Sequence, residues 1–170
     1  MAKRHERTLA RRMALMALYR GMLLSDEPGS LALDCLDDEL PDQGELSVYA
    51  LQLLDGVQEH LQELDEKLNS VAQNWTVERM PVVDHAIMCL ATYEMLYQSQ
   101  VPISVCISEA VELAKEFGGQ DDSARFTNGV LGRIARTYTS ERIDSDEAIE
   151  QASAEPIDML TASFADKIEG

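Results

Sequence analysis

Residues 102–134 read PISVCISEAVELAKEFGGQDDSARFTNGVLGRI, and their order of helix, glycine stop, polar turn and helix sets the pattern for the chain. Ile103, Ile107, Val111, Leu113 and Ala114 fall on one helical stripe, with Glu109, Glu112, Lys115 and Glu116 off it. Gly118 and Gly119 are the natural place for the left-handed conformation that ends a helix without a Cβ clash. Asp121, Asp122 and Ser123 then offer acceptors for the free N–H groups of a new helix. That helix carries Phe126, Val130, Leu131 and Ile134 on its apolar side. Its first turns also crowd Arg125, Phe126 and Asn128 together. A helix start with amide donors, a cation and an aromatic ring can hold a phosphate and a base. On composition alone the plainer reading is preferred: Phe126 in the core and Arg125 a solvated charge.

Working outward, 170 residues suffice for one well-packed domain or two small lobes sharing a core. Abundant Leu, Ala, Glu and Met, with few aromatic or β-branched runs, favour an all-α chain. No apolar run is long enough to cross a bilayer, and the basic N-terminus has no signal-peptide core behind it. A soluble, cytoplasmic protein is the expectation. Cys35, Cys89 and Cys106 are odd in number and widely spaced, so they support neither a disulfide framework nor a zinc site. Cys89 and Cys106 read as small core residues. No metal or cofactor is expected.

The formal net charge is −17, but it is unevenly spread. Lys3, Arg4, Arg7, Arg11, Arg12 and Arg20 place six of the 14 basic residues before Gly21, and none falls between Gly21 and Glu66. A globally acidic protein repels nucleic acid at long range, so any RNA site must be a local basic patch with a steep salt dependence.

In chain order, Thr8 to Leu24 read as a first helix with Leu9, Met13, Met16 or Ala17, and Leu24 as its apolar stripe. Arg4, Arg7 and Arg11 recur about a turn apart on the other face, where guanidinium forks can pair with phosphate oxygens. So many cations at a helix N-terminus oppose the macrodipole, which argues for a role beyond local stability. Residues 31–40 suggest a short second helix. Leu46, Leu53, Leu54, Val57, Leu61, Leu64, Leu68 and Val71 give a long apolar stripe from about Glu45 to Ala72, with a solvated acidic side that includes Asp65. Trp75 reads as core joining two lobes, and Pro81 as the first turn of the next helix. Asp84 and His85 are sequence neighbours within that helix and read as surface residues. Beyond Tyr138, residues 141–170 form an acidic tail, partly disordered in composition, with Ile157, Leu160, Phe164 and Ile168 on one short amphipathic face.

Three segments, RTLARRMALMALYR, WTVERMPVVDHAIMCLATYEML and VPISVCISEAVELAKEFGGQDDSARFTNGVLGRI, occur in the order and spacing of a known family. The chain resembles the NusB family of bacterial transcription antitermination factors over about residues 4 to 138. The resemblance implies two packed three-helix halves, about seven helices and no catalysis, with residues 1–140 as the RNA-binding domain and 141–170 as an extension. It also implies binding of boxA RNA together with NusE, a small-subunit ribosomal protein, within an RNA polymerase antitermination complex serving ribosomal RNA operons. Family members sometimes pair as homodimers. Carried over by position, the RNA contacts would be Arg4, Arg7, Arg11, Arg12, Asp122, Ser123, Arg125, Phe126 and Asn128. NusE would meet Tyr19, Glu78 and Asp84. Thr8 and Leu9 stand where family members often carry arginine.

Two other classes bear on this composition. An RNA-binding module of an rRNA methyltransferase would need a nucleotide-cofactor domain, and no Gly-rich fingerprint is present. A protein-binding helical adaptor with weak or lost RNA binding fits the −17 charge.

Overall fold

A computed structural model describes residues 2–25, 48–72 and 74–140, with side chains from His5 onward. Among these residues there are five α-helices and one 3₁₀ turn, and no strand: α1 (Ala2–Leu24), α2 (Val48–Val71), the 3₁₀ turn (Val77–Arg79), α3 (Val82–Tyr97), α4 (Ile103–Phe117) and α5 (Ser123–Tyr138). The helix expected at 31–40, Leu46 and the acidic tail at 141–170 lie outside the described residues. No described helix is long and apolar enough to cross a membrane.

The organising element is α3, which packs against α1, α2, α4 and α5. Pro81 starts it from the residue before its first turn, with φ −55°, and the Pro81 carbonyl accepts from the His85 N–H at 3.1 Å. Ten of its 16 residues are buried, including Asp84, Thr92 and Glu94. A helix surrounded by neighbours needs an apolar surface on every side, so its sequence shows little one-sided periodicity. Asp84 is therefore a core residue at 0 % exposure, which corrects its reading as a surface group.

The apolar stripe of α2 matches the periodicity: Leu53, Leu54, Val57, Leu61, Leu64, Leu68 and Val71 are all buried. Gly56 sits where α2 meets α3, and a Cβ there would fall 1.9 Å from the Tyr93 ring. In α1 the buried stripe is Ala10, Ala14, Leu15, Ala17 and Leu18, whereas Leu9, Met16 and Leu24 are exposed. The expected stripe was rotated because it followed the bulkier side chains. The helix instead turns its alanines inward, and small side chains let backbones approach closely.

Arg11 lies on this inward face and is 3 % exposed. Its Nε donates to both Glu94 oxygens at 3.0 Å, and its Nη2 donates to Glu94 Oε1 at 2.7 Å. Glu109 on α4 lies 3.4 Å from its other terminal nitrogen. The Tyr49 hydroxyl of α2 also donates to Glu94. Burial works against the Arg11 charge, but the hydrogen bonds and charge of Glu94, with Glu109 behind, outweigh it and hold its pKa above the ordinary value. Burial and the Glu94 charge likewise push the Tyr49 phenol up. One ion-pair network thus links four helices.

Removing one member of a buried pair leaves an uncompensated charge, which costs about 3–5 kcal/mol. Glu94→Ala is therefore expected to lower the unfolding free energy in urea by about that amount. Arg11→Met combined with Glu94→Leu should cost less than either single change, because neither charge is then left alone.

Candidate nucleic-acid interface

The α4–α5 junction is built by close contact rather than by unusual backbone angles. Gly118 has φ −54° and ψ 144°, so it does not take the left-handed conformation expected of it. Its requirement is for space. A Cβ on Gly118 would lie 2.3 Å from the Ala114 carbonyl oxygen and 2.4 Å from the Ser123 Cβ, and one on Gly119 would lie 2.6 Å from the Pro81 Cβ.

The capping pattern also differs from the expectation. Asp122 occupies the N-cap position of α5 without a side-chain capping bond. The turn is held from within: the Gln120 N–H donates to Ser123 Oγ at 3.0 Å, and the Gly119 N–H donates to Asp84 Oδ2 at 3.2 Å. Burial pushes the Asp84 carboxyl up from its ordinary range, while hydrogen bonds from Ser123 and the Gly119 amide pull against that rise. Asp84 and Ser123, at 0 % and 1 % exposure, fasten the turn to α3.

Phe126 is 1 % exposed and packs edge-on against the buried Trp75, with ring centroids 5.1 Å apart. It cannot stack on a base from that position, so the core reading is correct and the RNA assignment of Phe126 is withdrawn. Arg11, Ser123 and Asp84 leave their assigned contact surfaces for the same reason: each is buried and engaged inside the fold. Arg125 is exposed, and Asp122 and Asn128 are half-buried at the start of α5. Tyr19 and Glu78 remain exposed.

Arg7 and Arg12 of α1 are half-buried rather than enclosed. Arg7 lies over the Tyr49 ring at 5.1 Å. Arg12 pairs with Glu116 on α4 and lies 5.8 Å from the centre of the Phe117 ring, the last residue of that helix. One residue further on, Gly118 begins the turn into α5. Arg12 therefore joins the arginine-bearing end of α1 to the C-terminal end of α4, where the turn toward α5 begins, across 104 residues of sequence. An open cleft of about 350 Å³ lies beside this join, lined in part by Lys115, Gly119, Gln120 and Asp121. Glu116 and Phe117 had no signal in the sequence, because their role comes only from meeting Arg12.

A family model described as the NusB family matches residues 8–136. The transcription antitermination protein NusB of Salinispora arenicola is 41 % identical over 133 residues, which is 78 % of this chain and 97 % of that protein. Among solved structures, T. maritima NusB superposes with a TM-score of 0.68 at 32 % identity, over 85 % of this chain and 96 % of its own. A chain from a crystal structure of NusB and NusE in complex with dsRNA shares the fold, with a TM-score of 0.63 at 24 % identity over 78 % of this chain and 97 % of its own.

The Asp84 fastening has a direct consequence. Asp84→Ala should speed hydrogen exchange at the Gly119 amide and lower stability by about 1–3 kcal/mol, since it takes the carboxylate acceptor from the Gly119 amide and from the buried Ser123 hydroxyl. Amide exchange followed by mass spectrometry checks it; unchanged protection across 118–123 would show that the turn does not depend on Asp84.

Proposed function

The chain belongs to the NusB family, and on that premise we propose that its basic α1 end and the start of α5 form one surface for boxA-type RNA, used together with NusE. The protein is a transcription antitermination factor, a member of a family of RNA-binding proteins rather than of enzymes. The observation that supports the RNA surface is the seat of Arg12 on Glu116 and Phe117, at the end of α4 from which the turn leads into α5. Arg7 and Arg12, with Arg4 by its position in the same helix, supply phosphate contacts. Arg125 adds a cation at the α5 N-terminus, where the first N–H groups favour an anion. Asp122 and Asn128 offer polar groups to base edges or ribose hydroxyls. Tyr19 and Glu78 belong to the NusE-facing surface.

The seven-helix, two-half arrangement, with residues 1–140 as the RNA-binding domain, 141–170 as an acidic extension and the RNA polymerase complex of the cytoplasm as the place of work, is part of the same reading. Arg12 already faces a carboxylate, that of Glu116, and the formal net charge is −17. RNA must therefore take Arg12 from Glu116, and that exchange favours low salt. The same observation supports the second reading, a helical adaptor that binds protein and has lost RNA.

Binding of a boxA oligonucleotide across a salt series, with and without NusE, separates the two. For an RNA factor, Arg7→Ala and Arg12→Ala should each weaken binding and flatten the log–log salt slope by about 0.7–0.9. Absence of binding with NusE at low salt would leave the adaptor. Phe126→Ala is expected to destabilise the fold by about 3–5 kcal/mol while leaving RNA affinity per folded molecule unchanged.

A further inference from the structure

A second cluster lies on the α2–α3 seam, and the RNA reading makes no use of it. His85 and Cys89 are four residues apart on α3, so their side chains share one helical face. The facing residue of α2 is Asp65, which the sequence placed on a solvated acidic side. Its Oδ1 lies 2.6 Å from His85 Nε2 and 3.6 Å from Cys89 Sγ. The three potential ligand atoms all fall within 4.8 Å of one another. The sequence offered no reason to expect this, because the third member comes from another helix.

We propose that Asp65, His85 and Cys89 form a zinc site that clasps α2 to α3. The donor set of one thiolate, one imidazole and one carboxylate suits Zn²⁺ and disfavours Mg²⁺ or Ca²⁺, which take oxygen ligands. Tetrahedral zinc with ordinary bond lengths separates its sulfur and oxygen ligands by about 3.5 Å and its nitrogen and oxygen ligands by about 3.3 Å. The 3.6 Å sulfur–oxygen distance already fits. The imidazole, now hydrogen-bonded at 2.6 Å, must retreat by about 0.7 Å, and its side chain is 18 % exposed at the rim of the seam. Cys89 sits at the buried end at 0 % exposure, leaving the fourth position for water on the open side of Asp65 and His85. On binding, Cys89 gives its proton to solvent, and the Nε2 proton that His85 now donates to Asp65 leaves Nε2 for Nδ1 or for solvent, so that the imidazole binds neutral through a bare Nε2. The two anionic ligands then balance the dication.

Cobalt reports this site, because a thiolate bound to Co²⁺ gives a charge-transfer band absent from oxygen and nitrogen ligation. The full chain, stripped with a chelator and titrated with Co²⁺, should develop that band to one equivalent and lose it when Zn²⁺ is added. Cys35→Ser should keep the band, and Cys89→Ser should abolish it. His85→Gln and Asp65→Asn, both at partly exposed side chains, should keep the fold and weaken Co²⁺ by at least about tenfold. Zn²⁺ should raise the thermal midpoint of the natural chain and not that of His85→Gln. No thiolate band, a band that survives Cys89→Ser, or equal affinity in His85→Gln would overturn the site.

Discussion

The buried pairing of Arg11 with Glu94 is the constraint around which the described helices arrange themselves. Two charges withdrawn from water are tolerable only when each is matched and hydrogen-bonded. The match draws on four helices: Arg11 from α1, Tyr49 from α2, Glu94 from α3 and Glu109 from α4. The hydrogen bonds from Arg11 to Glu94 span 83 residues of chain, so the network holds only when the helices are in register. Such a pair adds little to stability over a well-packed apolar one. Its effect is on orientation, because it fixes which face of α1 turns inward.

That orientation divides the arginines. With Arg11 inside, Arg7 is left against Tyr49 and Arg12 reaches the end of α4, beside the turn into α5. The turn is itself held from α3, through Asp84 and the Gly119 amide. Two buried carboxylates on the central helix thus position both parts of the proposed RNA surface without touching RNA. A chain with a net charge of −17 needs such local arrangement, since its overall field works against a polyanion.

Much of this was legible in the sequence. The α4 and α5 stripes, the long stripe of α2 and the core placement of Trp75 followed from period and residue type, and the structure keeps them. Other features were not legible, for physical reasons. Asp84 and Glu94 are polar residues in a helix enclosed by neighbours, and their burial depends on partners far away in the chain. Arg11 looked identical to Arg7 and Arg12, and only the inward rotation of the α1 alanines distinguishes it. Phe126 was read correctly from composition, and the family resemblance then drew it wrongly to the surface. The sequence showed no cysteine–histidine pairing, because the four-residue spacing of His85 and Cys89 gains meaning only when Asp65 meets them across the α2–α3 contact.

The most direct test follows the arginine side chains themselves. In a ¹⁵N–¹H spectrum of the guanidinium Nε–Hε groups, boxA RNA is titrated into the chain at low salt in the presence of NusE. The account predicts that the Arg7 and Arg12 signals shift with RNA while the Arg11 signal, locked on Glu94, stays where it is. An Arg11 signal that moves with theirs, or Arg7 and Arg12 signals unmoved while RNA binds, would contradict it.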